Sequence, residues 1–149
     1  MLRLSVALDQ RADTARLCRM LAVKLVSFDI DGTLEIGDPP GAVPIALIRQ
    51  AKRRGYLVGS CSDRPVAYQQ ELWRRLEIAP DFTVLKHRLA DVKALFAAAA
   101  YFHVGDTDVD AFYAIEAGFS FLRVVVPRLD GLPFSLQLGD DVLAEHLDG

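Results

Sequence analysis

The segment Val23–Leu34 constrains the fold more than any other part of this 149-residue chain. An apolar run ends abruptly there at two carboxylates, Asp29 and Asp31, which are followed by Gly32. Such a run predicts a buried strand, and the glycine predicts a sharp exit where the backbone approaches a ligand. Because side chains alternate along an extended chain, both carboxylates are expected to point the same way at the carboxyl end of the strand. Their mutual repulsion must be relieved by a cation or a proton, so we expect a hard-metal site with one aspartate acting as a nucleophile.

Extended and helical patterns alternate after this first strand. Further strands are predicted over residues 56–61, 82–85, 101–104 and 119–126. Helices are predicted between them over residues 45–54, 65–76 and 89–100, with a fourth that ends at residue 117. This alternation with short connections predicts an α/β fold, a three-layer, doubly wound (Rossmann-like) parallel sheet of five strands with helices on both faces.

The two ends of the chain flank a predicted core over residues 23–126 within a single domain, 1–149. Residues 1–22 are an N-terminal extension, in which we expect a short strand over 2–8 and an amphipathic helix over 13–22. Residues 127–149 are a C-terminal tail with a short helix beginning at Asp140.

Composition excludes several classes of protein. With 17 basic and 20 acidic residues, the net charge of −3 gives no general attraction to nucleic acid. No stretch approaches the ~20 apolar residues of a membrane span, and no signal peptide is recognisable. Two cysteines without metal-ligand spacing suit a cytoplasmic protein. The 52% hydrophobic content of a small chain is compatible with a homo-oligomer, a dimer or a tetramer.

Polar residues also end the later strands of the predicted sheet. The second strand ends in Ser62, with Ser60 as an alternative, and the third ends in Lys86. The fourth ends in Asp106, with Asp110 one helical turn further on. In a doubly wound sheet these ends converge on one crevice. The converging groups suit phosphoryl transfer: carboxylates for Mg²⁺, and a hydroxyl and an ammonium for phosphate oxygens.

Four motifs give the chain a family resemblance over roughly residues 23–126. They are the hexapeptide Asp-Ile-Asp-Gly-Thr-Leu at 29–34, Ser-Asp-Arg-Pro at 62–65, Lys86, and Gly105-Asp106 with Asp110. In this order they resemble the four motifs of the haloacid dehalogenase (HAD) superfamily of phosphohydrolases. The resemblance implies a HAD-like fold and a Mg²⁺-dependent phosphatase that hydrolyses a phosphomonoester through an aspartyl-phosphate intermediate.

The resemblance also implies a role for each site residue. Asp29 would be the nucleophile, Asp31 the general acid/base, and Ser62 and Lys86 would bind the phosphoryl group. The implied metal ligands are Asp29, Asp31 (through its carbonyl), Asp106 and Asp110. The implied substrate-binding residues are Ile30, Gly32, Thr33, Ser62, Asp63, Arg64 and Lys86. Lys93 is an alternative to Lys86.

The chain leaves no room for the cap domain that many HAD proteins carry. Only 30 residues separate Asp31 from Ser62, and 23 separate Ser62 from Lys86, and the predicted helices and strands fill both segments. By resemblance, capless members act on macromolecular phosphates or use a neighbouring subunit to close the site. The predicted partners are therefore a phosphorylated small molecule or a macromolecular phosphate.

Other interpretations compete with this one. A non-catalytic or regulatory protein could keep the fold and the metal site. A phospho-accepting receiver domain would need an aspartate on the third strand, where Lys86 stands, and a dinucleotide site would need a glycine-rich motif that is absent after the first strand. His87 and His103 are interpreted as structural or surface residues, and Asp108 as a solvated charge at a helix N-terminus.

Overall fold

A five-stranded parallel sheet forms the centre of the structure, a computed structural model that describes residues 22–124 and 133–145. The strands are β1 (Lys24–Phe28), β2 (Leu57–Ser62), β3 (Phe82–Leu85), β4 (Ala100–Gly105) and β5 (Ser120–Arg123). Their order across the sheet is β3-β2-β1-β4-β5, and every neighbouring pair is parallel. The predicted five-stranded parallel sheet is confirmed.

In the described part of the chain, four helices cover the two faces of this sheet. They are α1 (Ile45–Arg53), α2 (Val66–Arg75), α3 (Leu89–Leu95) and α4 (Asp108–Ala117), with a short 3₁₀ turn over Lys86–Arg88. Residues of α1 and α2 share one buried cluster with Val26 and Phe28. Residues of α3 and α4 share the other cluster with Leu25 and Cys61. Alternate side chains of β1 thus enter two separate cores, which is the pattern of a three-layer α/β fold.

Strand register brings the carboxyl ends of the central strands to one edge of the sheet. Phe28, the last residue of β1, pairs with Ser60 in β2 and with Val104 in β4. Ser62 at the end of β2 pairs with Leu85 at the end of β3. The residues that follow these strands therefore emerge side by side.

Helix α3 is shorter than predicted. The sequence pattern extends it to Ala100, whereas the helix ends at Leu95 and Phe96 has an extended backbone. Ala100 instead pairs with Lys24 at the start of β4, and the Tyr101 hydroxyl binds the Phe96 carbonyl. Alanine has the highest intrinsic helix propensity, but such propensities are small, and pairing with β1 outweighs this one.

The predicted terminal helix from Asp140 is wrong. Residues 133–145 contain an antiparallel hairpin of β6 (Ser135–Leu138) and β7 (Asp141–Ala144). Leu136, Leu138 and Leu143 are buried in the same cluster as α1 and β1. The alternation of buried and exposed residues along β6 is a strand pattern, and Gly139 turns the chain with φ of +66°.

Some predictions fall on residues that the structure does not describe. The strand over 2–8, nearly all of the helix over 13–22 and the last two residues of the predicted strand over 119–126 lie outside the described residues. None of the helices in the described ranges has the length and hydropathy needed to cross a membrane.

Candidate functional site

Four ionisable side chains meet at the carboxyl edge of the sheet. Asp29 follows β1, and its amide donates to the Val104 carbonyl at 2.9 Å, so the β1–β4 pairing places it. Asp106 follows β4, and Asp110 lies in the first turn of α4. Lys86 begins the 3₁₀ turn after β3. The strand-end convergence expected from the sequence is therefore present for these four residues.

Three of the four form an acidic cluster. Asp29, Asp106 and Asp110 each offer one carboxylate oxygen, and these three oxygens all lie within 4.8 Å of one another. Asp29 is 4% exposed, Asp110 is fully buried and Asp106 is half-buried. Three carboxylates at this spacing and burial repel one another strongly unless a positive charge lies between them.

Helix α4 holds Asp110 in place. Its Oδ2 accepts hydrogen bonds from the Asp106 amide at 3.2 Å and from both the amide and the hydroxyl of Thr107, at 3.2 and 2.9 Å. The Thr107 hydroxyl accepts from the Asp110 amide, which completes a capping box. Oδ1 is left without a well-oriented hydrogen bond among the described residues, although it is buried.

Lys86 supplies the positive charge nearest to the cluster. Its Nζ lies 3.1 Å from Asp110 Oδ1, 3.8 Å from Asp29 Oδ2 and 3.4 Å from Asp63 Oδ2. Burial by itself lowers the pKa of Lys86, but the charges of Asp29 and Asp110 outweigh it and hold that pKa above its usual range. The ammonium is therefore charged at neutral pH.

The pKa values of the two buried carboxylates, Asp29 and Asp110, shift in opposite directions. Burial and the charge of Asp110 raise the pKa of Asp29 to about 8, against the opposing effect of Lys86. Burial also opposes ionisation of Asp110, but His103 and Lys86 outweigh it and hold the pKa of Asp110 below its usual range. A dication beside Asp29 would lower its pKa by direct attraction to the carboxylate.

His103 is the contact of this site that the sequence interpretation missed. Of the structural and surface alternatives, burial favours the structural one, and Nε2 lies 3.6 Å from Asp110 Oδ1. Its Nδ1 lies 3.0 Å from the Ser27 hydroxyl on the neighbouring strand, at the paired position. The signal in the sequence was a polar residue, Ser27 or His103, inside each of two mainly apolar predicted strands.

Two glycines make room for the carboxylates. A Cβ on Gly32, whose φ is +75°, would lie 2.1 Å from Asp106 Oδ2. A Cβ on Gly105 would lie 2.6 Å from the Cβ and Cγ of Asp110. Thr33 adds a weak hydrogen bond from its hydroxyl to Asp106 Oδ1 at 3.3 Å.

Asp31 lies at the same edge, but its side chain is not part of the acidic cluster. Its Oδ2 accepts from Arg64 Nε at 2.7 Å, and its Oδ1 accepts from the Asp38 amide at 2.9 Å. The neighbouring Ile30 side chain is buried in the core. Asp29 and Asp31 therefore have different partners at the end of one strand.

The alternative residues for the phosphate-binding hydroxyl (Ser60 or Ser62) and ammonium (Lys86 or Lys93) lie in different surroundings. Ser60 is buried beneath α2, where its hydroxyl donates to Gln69 at 2.6 Å and accepts from Trp73 at 2.9 Å. Ser62 lies at the strand end, where its hydroxyl accepts a hydrogen bond from the Arg64 amide at 3.1 Å. Lys93 donates to the Gly118 carbonyl at 3.2 Å, at the far end of α4.

The remaining acidic residues near the site face solvent. The Asp63 side chain is 81% exposed, with Lys86 as its partner. The Asp108 side chain is 98% exposed and pairs with Arg123 at 2.6 Å. Asp108 is thus a solvated charge at the start of α4, as its position in the sequence predicts.

A cavity of about 320 Å³ lies away from this site, lined by Ala22, Val23, Lys24, Arg54, Gly55, Tyr56 and Asp141. Lys24 begins β1 and Tyr56 immediately precedes β2, so the cavity is at the amino edge of the sheet. The acidic cluster is at the opposite edge.

The acidic cluster fits a hard divalent cation. All three groups are oxygen donors, which Mg²⁺, Ca²⁺ and Mn²⁺ prefer. Asp110 Oδ1 is a buried acceptor without a well-oriented donor. Asp106 approaches only because residue 32 has no Cβ. No protein-family model matches the sequence, and no curated protein matches it significantly.

Proposed function

We propose that this protein is a Mg²⁺-dependent phosphatase of the HAD type that hydrolyses a phosphomonoester. The observation that carries the proposal is the meeting of Asp29, Asp106 and Asp110 with the Lys86 ammonium at the carboxyl edge of a parallel sheet. Ligands of open α/β sheets bind at this edge. The four motifs resembling those of HAD proteins supply these same residues.

Asp29, Asp106 and Asp110 would hold the cation. A bound cation would offset the negative charge of the carboxylates and of the phosphoryl group, which otherwise repel each other. Lys86 would contribute a second positive charge to the same phosphoryl group, from its position beside Asp29.

Asp29 is the proposed nucleophile. Its carboxylate oxygen would form a bond to phosphorus while the bond from phosphorus to the ester oxygen breaks, giving an aspartyl phosphate. Asp31 would give a proton to the departing alcohol and later take one from the water that hydrolyses the intermediate. Ser62 and the backbone amides around Ile30 and Gly32 would bind the phosphoryl oxygens.

The short connections after β1 and β2 support an uncapped phosphatase. Between β1 and β2 the structure contains only a loop and α1, and between β2 and β3 only α2. Connections of this size support an uncapped site. The substrate would therefore be a phosphorylated small molecule or an exposed phosphate on a macromolecule.

Turnover by the purified protein tests this proposal. We expect Mg²⁺-dependent phosphate release from at least one substrate in a panel of aryl phosphates, phosphometabolites and phosphopeptides. Asp29→Asn should remove all of this activity because it removes the nucleophile. Asp108→Asn is the matched control, since this exposed aspartate is on the same edge but pairs with Arg123.

Metal binding should be measured in parallel by calorimetry. Asp106→Asn is expected to weaken Mg²⁺ binding at least tenfold, and Asp108→Asn to leave it within about twofold. Mg²⁺ binding without any turnover would instead favour the non-catalytic alternative. Equal turnover by wild type and Asp29→Asn would refute the proposed nucleophile.

A further inference from the structure

The carboxylate of Asp31 is held on both of its oxygens at the rim of the site. Arg64 Nε donates to Oδ2 at 2.7 Å, and the Asp38 amide donates to Oδ1 at 2.9 Å. The Asp31 side chain keeps 27% of its exposure, so it is accessible to a molecule in the site. Because each oxygen of the Asp31 carboxylate accepts a hydrogen bond, the carboxylate has a defined orientation while remaining accessible.

Arg64 is itself anchored at three points. Its amide donates to the Ser62 hydroxyl at 3.1 Å, and its carbonyl accepts from the buried Gln69 amide group at 2.8 Å. Its guanidinium lies over the Tyr68 ring, 4.9 Å from the centroid. Arg64 is therefore placed by β2 and α2, whereas Asp31 is placed by the loop after β1.

Two different basic side chains pair with the carboxylates of the site. Lys86 lies against Asp29 and Asp110, within 3.8 Å of both. Arg64 lies against Asp31. This division matches the two functions proposed for the aspartates, one as nucleophile and the other as acid/base.

We propose that Arg64 is a positioning residue, which acts through Asp31 by holding its carboxylate where a leaving group departs. This inference rests on the proposed function. It differs from the role of direct substrate binder that the motif at 62–65 implies for Arg64. A direct binder would contribute to every substrate alike, whereas a positioning residue matters only when Asp31 must transfer a proton.

Leaving-group dependence separates these two roles. The 4-nitrophenolate ion departs without a proton, whereas an alkoxide requires one. We would compare kcat/KM for 4-nitrophenyl phosphate and 2-(4-nitrophenyl)ethyl phosphate, which share the aromatic group and differ in the leaving oxygen. Because kcat/KM reports the first half of the reaction, later hydrolysis of the aspartyl phosphate does not enter.

Arg64→Ala should lower kcat/KM at least 30-fold for the alkyl substrate and less than threefold for the aryl substrate. Arg64→Lys should recover part of the alkyl activity. In an Asp31→Asn background, Arg64→Ala should cause no further loss, because the residue through which it acts is already gone. Arg74→Ala is the control, since Arg74 pairs with Glu71 on the exposed side of α2.

Amide hydrogen exchange gives a readout that needs no turnover. Loss of Arg64 should free the Asp31 carboxylate and so speed the exchange of the Asp38 amide, while Arg74→Ala should not. Equal losses on both substrates, additive losses with Asp31→Asn, or unchanged Asp38 exchange would each overturn this inference alone. Absence of any wild-type turnover would overturn the proposed function and this inference with it.

Discussion

Gly32 lies so close to Asp106 that a Cβ at residue 32 would overlap the Asp106 carboxylate. Gly32 has φ of +75°, and its missing Cβ leaves the volume that Asp106 Oδ2 occupies. Gly55 also has a positive φ, +88°, but a Cβ there would meet nothing within 4 Å. The two glycines share a backbone requirement and differ in what surrounds them.

Alanine at these two positions should therefore have different effects on metal binding. Each substitution should cost about 1–2 kcal/mol of the free energy of unfolding for the left-handed backbone, and Gly32→Ala should cost more because of the clash. Only Gly32→Ala should weaken Mg²⁺ binding, by at least tenfold, since Asp106 must move. Urea denaturation and calorimetric titration measure the two quantities, and equal metal affinities in the two variants would contradict the steric argument.

Asp29 is the residue whose protonation links the site to stability. Burial and the charge of Asp110 raise its pKa to about 8 in the folded protein. In the unfolded chain an aspartate titrates near 4. The folded state thus binds one more proton than the unfolded state between these values, and its stabilising effect is fully present below pH ~4 and lost as the pH rises through about 8.

Without metal, the wild type should become less stable than Asp29→Asn as the pH rises from 5 to 8. The difference in the free energy of unfolding should change by up to about 1.4 kcal/mol per pH unit, the value for one proton. Saturating Mg²⁺ should remove this difference in slope by keeping Asp29 ionised. Urea denaturation in a chelator and in Mg²⁺ measures it, and parallel pH profiles in the chelator would show that Asp29 does not hold the proton.

At the scale of elements, a buried polar network joins α2 to the sheet. Gln69 is fully buried, and its side chain accepts from the Ser60 hydroxyl and donates to the carbonyls of Arg64 and Val84. The Trp73 indole donates to the Ser60 hydroxyl at 2.9 Å. One glutamine thus links β2, β3 and the segment that presents Ser62 and Arg64 to the site.

Gln69→Ala should lower the free energy of unfolding by about 3 kcal/mol, because it leaves several buried polar groups without partners. Gln70→Ala, one residue further and exposed, should change it by less than about 0.5 kcal/mol. Chemical denaturation of both variants checks this. A similar small change for both would mean that water replaces the lost hydrogen bonds.

At the scale of the whole molecule, the β6–β7 hairpin is part of the main core. Leu136, Leu138 and Leu143 are buried with residues of α1 and β1. The Ala144 amide donates to Gln50 at 2.9 Å, and the Tyr56 hydroxyl binds Asp141. We expect the hairpin to unfold together with the sheet.

Leu143→Ala should therefore destabilise the whole fold by about 3 kcal/mol, within a single unfolding transition. Val142 on the same strand is 37% exposed, so Val142→Ala should lower the free energy of unfolding by less than about 1 kcal/mol. Thermal unfolding followed by circular dichroism and by tryptophan fluorescence tests this, since Trp73 lies in the same cluster on α2. An early transition confined to the hairpin would disprove the shared core.

The sequence by itself determined the sheet and most of the acidic cluster. Apolar runs that end in polar residues specify buried parallel strands. In such a strand the side chains on both faces are covered by helices, so consecutive residues are all apolar. Convergence of Asp29, Asp106 and Lys86 then follows from the rule that parallel strands share one carboxyl edge. These features depend on patterns within a few residues.

The tertiary structure alone decided the contacts between distant segments. The pairing of His103 with Ser27, the pairing of Asp31 with Arg64, and the packing of Leu143 against α1 and β1 each depend on residues far away in the chain. The energy of such a contact is gained only when another element packs against it, so no local periodicity records it.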